Sequence, residues 1–389
     1  MSPYYCRLFT FLGIFIASCA RGQTDFVIDR HVVVFGSEGQ FGGWPANHGI
    51  WSWGDEILVG FSTGAHKDLG EERHNIDREK PEHHVLARSL DGGATWKIEY
   101  PAEKGMLINA GGMRHGTTDP RLREPEPLPI TEAINFEHPD FCMTLRFADV
   151  HGGTSRLYYS YDRGKNWRGP YRVPDLGQPG VMARTDYIVN GARDCHFLLT
   201  VSKEGQKEGR VVCARTTDGG ISWKLLAHVG PELKGFSIMP STVRLAATEL
   251  LTTTRRREGP GETRHRWIDS WRSADNGITW QPLGAAVDDV GEGNPPALIR
   301  LRDGRLCLTY GDRKPPYAIC ARLSEDHGET WSAPITLQTN GGGRDLGYPR
   351  SVQRSDGRIV TVYYFTPGNS PYRKIIATLW HPGDPSTFQ

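Results

Sequence analysis

Ser89-Leu90-Asp91-Gly92-Gly93-Ala94-Thr95-Trp96 is the first of five near-copies of one octapeptide, [ST]-x-D-x-G-x-[TSN]-W; the others occupy residues 160–167, 216–223, 273–280 and 324–331. Asp-x-Gly is turn chemistry: the Asp side chain bonds the backbone a few residues on, and Gly supplies a positive φ. Each copy follows an apolar run, such as Val85-Leu86-Ala87-Arg88 or Ile319-Cys320-Ala321-Arg322. Each therefore reads as a tight turn between two strands, with the Trp and the hydroxyl turned inward. The Asp positions, 91, 162, 218, 275 and 326, advance in steps of 71, 56, 57 and 51 residues. A recurrence at that interval means an array of similar units. It also marks the repeated turn as scaffold.

A second regularity lies upstream of the turns. Pairs of β-rich runs recur over residues 50–61 around Gly54-Asp55, 141–147, 187–201 around Asn190-Gly191, 242–254, 297–310 around Asp303-Gly304 and 351–365 around Asp356-Gly357. Asp-Gly and Asn-Gly are hairpin signals. Six units of about four strands result, five of them carrying the Trp turn; the sixth ends at residues 375–380. The strand-like run 26–35 has no partner of its own, so it is expected to close the ring on the last unit. The fold expected is all-β, a six-bladed β-propeller over residues 25–389. A chain of 389 residues would ordinarily suggest two domains, but repeat folds escape that expectation.

Composition narrows the partners. The formal net charge is +1, so nothing global calls for nucleic acid. Residues 1–20 stand apart: Arg7, a largely apolar run over 8–17, then small residues, which read as an export signal too short to span a membrane permanently. Ile16-Ala17-Ser18-Cys19 also reads as a lipobox that would leave Cys19 lipidated and the protein anchored to a membrane. Ordinary cleavage after Ala20 stands beside it. Either way the protein is expected outside the cytoplasm: periplasmic, a cell-surface lipoprotein or secreted. Of the later cysteines, Cys195/Cys213 and Cys307/Cys320 sit on neighbouring strands; buried thiols are favoured over disulfides there. No Cys-x-x-Cys or His-x-x-x-His pair suggests zinc, and no cofactor is expected.

In a propeller the inner strands all start at one face, the loops after the second strands open at that face, and the Trp turns lie at the other. At inner-strand starts stand His48, Asp140, Arg184 with Asp186, Ser241, Glu292 with Asn294, and Tyr348 with Arg350. In the loops after second strands stand His66, Arg73 and Asp77, then Arg146 and Asp149, Lys203, Arg255-Arg256-Arg257, and Arg313-Lys314. Converging guanidinium groups grip carboxylate or sulfate bidentately, as lysine cannot. The ligand inferred is a small anion, foremost an acidic sugar. Bland readings stand beside this one. Arg146 and Arg184 could pair with Asp149 and Asp186, and the three consecutive arginines could alternate across a strand. His48 could be a buried histidine, and Glu71-Glu72-Arg73-His74 reads as a solvated loop.

The five turns resemble the Asp-box (BNR) repeats of sialidases, and six blades is the sialidase count. Gly347-Tyr348-Pro349-Arg350-Ser351-Val352 with Asp356-Gly357-Arg358 resembles the segment opening the last sialidase blade, which implies that Tyr348 is the nucleophile. The segment from Glu72-Arg73 to Asp77 resembles the loop holding the family's acid/base, which implies that role for Asp77. The resemblance implies substrate arginines at Arg255 or Arg256 and at Arg313. Where sialidases begin their first blade with Arg-Ile-Pro, this chain reads Asn47-His48-Gly49-Ile50. The glutamate assisting the tyrosine is expected at Glu292, with Glu232 second.

The implied activity is a retaining exo-glycosidase removing terminal acidic sugars, and the implied site is Tyr348, Asp77 and Glu292 for chemistry, with His48, Arg73, Arg255, Arg256, Arg313 and Arg350 for binding. A neutral phenol nucleophile avoids repelling a substrate carboxylate. Asp77, its pKa raised by partial burial, would protonate the leaving oxygen. Two other classes remain open. One is a uronate lyase, or another propeller glycosidase, with His48 or Tyr348 as base. The other is a glycan-binding propeller without turnover.

Overall fold

The computed structural model describes Met1 and residues 26–383, apart from 71–72, 109–114, 151–152, 206 and 369. The segment expected to direct export, with Cys19, and Glu72 lie outside the described residues. Among those described there is no α-helix, only three short 3-10 turns, Pro45–Asn47, Pro101–Lys104 and Gly261–Thr263. Among the described residues no helix is long and apolar enough to cross a membrane.

Six antiparallel sheets form the blades of a propeller. The second strands sit between neighbouring blades, so both faces must be apolar or small, unlike a strand with one wet face. Ile359–Phe365 is buried at every position, and Glu56–Ala65 at all but its ends. Packing between blades makes a chain of apolar clusters around the ring. Ile57, Val59 and Phe61 of blade 1 join Val360, Val362 and Tyr364 of blade 6 in one of them. Blades 3 to 6 follow the expected pairs: Tyr187–Gly191 with Asp194–Lys203, Phe236–Arg244 with Leu250–Glu258, Ala297–Arg300 with Leu306–Asp312, and Gly347–Gln353 with Ile359–Phe365. The ring closes as expected. Val27–Phe35 pairs antiparallel with Lys374–His381, from Val27 opposite His381 to Phe35 opposite Ile375.

Blade 2 departs from expectation. Cys142–Arg146 pairs with Arg156–Ser160, which runs straight into the second Trp turn. It is thus a second strand, not an inner one, and this blade has three strands among the described residues. The chain before it carries Pro120, Pro125, Pro127 and Pro129, which cannot donate to a ladder. The change of direction moves Asp140 to the Trp-turn face, where its carboxylate accepts from Arg163 at 2.6 Å.

The five turns share one hydrogen-bond pattern. In the first, Ser89 Oγ donates to Asp91 Oδ1 (2.8 Å) and accepts from Gly93 N (2.7 Å), and Asp91 accepts from Thr95 N and Oγ1 at 2.9 and 2.7 Å. Asp162, Asp218, Asp275 and Asp326 repeat it. Burial works against charge on these carboxylates, but the donated bonds outweigh it and hold all five below the ordinary range. Cys142, Cys195, Cys213, Cys307 and Cys320 are free and buried. Across the third blade's hairpin Cys195 faces Thr216 while Cys213 faces Leu198, so the two thiols are out of register. Burial pushes the thiols of Cys213, Cys307 and Cys320 up to about 12, which leaves them inert.

Candidate active site

Four blades carry, within or beside their inner strands, a residue followed by proline: Trp44-Pro45, Met239-Pro240, Asn294-Pro295 and Tyr348-Pro349. Proline disfavours the right-handed helical region for the residue before it and breaks the ladder. Three of these residues take the left-handed conformation instead, with φ of 59° at Trp44, 53° at Met239 and 48° at Tyr348. The sheet register skips from Ile238 to Ser241 and from Gly347 to Arg350. Such a conformation costs an L-residue about 1–3 kcal/mol and persists where the surroundings over-determine it. At Tyr348 they do: its backbone N–H donates to Asn294 Oδ1 (3.0 Å), whose Nδ2 donates to Leu346 O (2.8 Å). Gly347 is required beside it, because at φ 102° a Cβ would lie 2.4 Å from Asn294 Nδ2.

The bulge sets the Tyr348 ring at the channel mouth, against Ala46, Phe236, Ile238 and Met239. Arg255 Nη1 donates to its phenol oxygen at 3.1 Å, and the Arg313 guanidinium lies 5.7 Å from the ring centre. Arg313 is fixed in turn by Leu346 O (2.9 Å) and Tyr364 Oη (2.7 Å). Burial opposes its charge, but Tyr364, Asp345, Tyr348 and Glu292 together hold its pKa above the ordinary value. These residues come from blades 4, 5 and 6, so the sequence places them together only through the ring.

Strand alternation sorts the three consecutive arginines. Arg255 and Arg257 share one face of Leu250–Glu258, and Arg257 lies opposite Arg266 on the next strand. Like charges opposite each other on a sheet are unfavourable. Burial, with the neighbouring guanidinium groups, holds Arg257 and Arg266 below their ordinary values. Glu292 faces this group: it accepts from Arg266 at 2.7 Å and Arg344 at 3.3 Å. Arg256, expected to bind substrate, is turned to the other face. It is 3% exposed and donates to Lys234 O, Phe236 O and Arg257 O, beside Asp269 and Glu258. It holds the hairpin together.

Other expected residues lie around or below the mouth. Arg350 Nη2 donates to Ala46 O and Thr185 O, both at 2.6 Å, and lines a channel cavity of about 270 Å³ with Asp186, Ser241 and Thr242. It ties three blades together. His48 is 1% exposed, with Nε2 3.3 Å from Ser62 Oγ and its ring 4.9 Å from His84. Burial, and then Arg146 and Arg350, hold its pKa well below the usual imidazole value. Next to it Arg184 donates to Asn47 Oδ1 (3.2 Å) and Glu208 (3.1 Å), not to Asp186. Arg73 is exposed.

Asp77 corrects a specific expectation. The Glu79 backbone N–H donates to it at 3.1 Å, and Lys67 and Lys80 stand 3.6 and 3.8 Å away. The Glu79 bond first, then the lysines, hold its pKa below the ordinary range instead of above it. It is kept ionised, opposite to what a proton donor needs. The neighbouring His74, read as part of a solvated loop, turns inward: Nδ1 lies 2.7 Å from the buried carboxylate of Asp345. Tyr364 Oη and Arg373 Nε also donate to Asp345, at 2.6 and 3.0 Å. Asp345, His74, Arg266 and Arg344 were not legible as site residues. Beside the segments that carry Tyr348 and Arg313, the X-Pro pairs at or near inner-strand starts are a further signal in the sequence that marks the mouth.

A profile of the BNR repeat-like domain matches residues 142–361, more than half of the chain. None of the curated protein sequences matches it. Among solved structures, a Dyadobacter fermentans protein of unknown function superposes with a TM-score of 0.67 at 21% identity, over 92% of this chain and 99% of that one. A Penicillium chrysogenum α-L-arabinanase complexed with arabinobiose gives 0.57 at 12%, over 91% and 98%. A Trypanosoma rangeli sialidase in complex with sialic acid gives 0.51 at 11% over 86% of this chain, which spans only 54% of that one. At these identities the likeness is one of fold, a propeller shared by sialidases and arabinanases. The five Trp turns, the six-sheet ring and the profile match together make this chain a member of the BNR repeat-like domain family, with a sialidase-like propeller.

Proposed function

We propose that the channel mouth is the active site of an exported glycosidase acting on terminal acidic sugars, with Tyr348 as nucleophile. One observation carries this reading: a phenol held in a left-handed backbone, bonded by Arg255 and lying over Arg313. Arg255, Arg257 and Arg266 on one hairpin face supply positive charge that a sugar carboxylate would neutralise.

In the proposed reaction Tyr348 Oη attacks the anomeric carbon while the glycosidic C–O bond breaks. The phenolic proton passes to Glu292, which shares the electrostatic surroundings of Arg313 with Tyr348. Donors preorganised around the reacting oxygen act where charge develops. Water then cleaves the glycosyl–tyrosine bond with net retention, and Glu292 returns its proton to the tyrosine.

The test is kcat/KM of wild type and Tyr348→Phe on nitrophenyl glycosides of sialic and uronic acids. The expected loss is at least roughly 10³-fold. Full activity in the variant would sink the assignment. A glycan-binding role without turnover is favoured by one feature, the engagement of Glu292 with two arginines. It predicts saturable binding of the free acidic sugar and no release of nitrophenol. A lyase would instead yield an unsaturated product absorbing in the ultraviolet; His48, buried at 1% exposure, is poorly placed to act as its base.

A further inference from the structure

The proposed reaction needs a group that protonates the leaving oxygen and later deprotonates water, and Asp77 is held ionised. We propose that His74, oriented by Asp345, is the general acid/base of this site. The assignment rests on the Tyr348 glycosidase reading above.

The geometry is that of a half-open imidazole backed by a buried carboxylate. The His74 side chain is 30% exposed and the Asp345 side chain 5%. With Nδ1 engaged by Asp345 at 2.7 Å, Nε2 is the nitrogen left to exchange a proton. Asp345 cannot serve as the donor itself. Burial pushes its carboxyl up, but His74, Arg373 and Arg313 outweigh this and hold it far below the ordinary range. It acts through His74, as a positioning residue.

The dyad and the phenol belong to one construction. Asp345 lies three residues before Tyr348, and the same guanidinium, Arg313, stands 3.9 Å from Asp345 and 5.7 Å from the Tyr348 ring centre. Aromatic rings bridge the rest: His74 to Trp44 at 5.1 Å, Trp44 to Tyr364 at 6.3 Å, Tyr364 to Tyr348 at 5.9 Å. His74 approaches from blade 1 and Tyr348 from blade 6, neighbours across the ring closure. His115, 4.2 Å from Trp44, is not an alternative, because burial first, then His74 and Arg78, lower its pKa to about 3.

The proton ledger closes. The His74 imidazolium gives its Nε2 proton to the glycosidic oxygen as the C–O bond breaks and the Tyr348–carbon bond forms. Neutral His74 then takes a proton from the water that attacks the anomeric carbon. The tyrosine–carbon bond breaks, Glu292 returns the phenolic proton, and His74 is again the cation.

The experiment compares nitrophenyl and methyl glycosides of the acidic sugar that wild type cleaves. Nitrophenolate leaves without protonation and methoxide does not. In His74→Gln, kcat/KM for the methyl glycoside is expected to fall about 10²–10⁴-fold, with less than about a tenfold loss for the nitrophenyl glycoside. Added azide, which needs no base, should speed the variant and yield a glycosyl azide. Asp345→Asn should show the same leaving-group split at smaller size. The split is read within one protein sample, so partial unfolding cannot mimic it.

Equal losses on both substrates, or none, overturn the assignment of His74 and leave Tyr348 standing. The split appearing in Asp77→Asn and not in His74→Gln also overturns it. No turnover of either substrate by wild type sinks the glycosidase reading, and this proposal with it.

Discussion

Single residues show how far neighbours override residue type. Asp77 and Asp186 are both buried aspartates near the channel, yet they are pushed in opposite directions. A backbone N–H and two lysines lower Asp77. Burial raises Asp186 to about 6, against the bonds from Thr242 and the nearby Arg350. A raised carboxyl favours the folded state when it is protonated. Its contribution is therefore greatest below about pH 4, the unfolded value, and is lost as pH rises through about 6. Asp186→Asn should remove that dependence. The stability difference between variant and wild type, measured by urea unfolding, should change by on the order of 3 kcal/mol between pH 4 and 7, in the variant's favour at high pH. A constant difference across that range would refute it. Tyr348 and Arg313 were legible as residues because they carry a family pattern. Asp345 was not, since a lone aspartate in a glycine-rich segment has no pattern until His74, Tyr364 and Arg373 are folded around it.

At the scale of elements, the Trp turns and the arginine hairpin teach opposite lessons. A turn is local: its bonds join residues two and four apart, so five copies could be read directly from sequence. Asp275 accepts from Ser273 Oγ and from Thr279 N and Oγ1. Asp275→Ala should cost about 1–3 kcal/mol and leave glycosidase kinetics unchanged, since the turn lies on the face away from the mouth. Its carboxyl is held below the ordinary range, so that contribution is present above about pH 4 and fades as pH falls through the lower folded value. Chemical denaturation at pH 7 and pH 3 checks both parts; an equal loss at the two pH values would refute the linkage. In the hairpin, by contrast, three consecutive arginines look alike in sequence. Strand alternation and register send Arg255 and Arg257 to the mouth and Arg256 to Asp269. The direction of Cys142–Arg146 was likewise misread, because a short strand shows which residues are apolar but not which partner it finds.

The whole molecule is a ring held shut by one pairing between the ends of the chain, Val27–Phe35 with Lys374–His381. That seam also joins blade 6, with Tyr348, to blade 1, with His74. Deleting residues 26–36 should lower the unfolding midpoint by at least about 10 °C, at a few degrees for each kcal/mol lost. It should also lower activity, if the seam sets the mouth. A truncated protein with unchanged calorimetric midpoint and kinetics would show that the seam is dispensable. The sequence by itself determined the repeat, the all-β class, the blade number and the closing strand, because each depends on short-range turn chemistry and strand patterning. Only the tertiary structure decided which side chains meet at the mouth. Those contacts join residues as far apart as 74 and 345, brought together by the closed ring. There burial and neighbouring charge, absent from any local stretch, keep Asp77 ionised and tie Arg256 into its hairpin, and the closed ring sets His74 against Asp345.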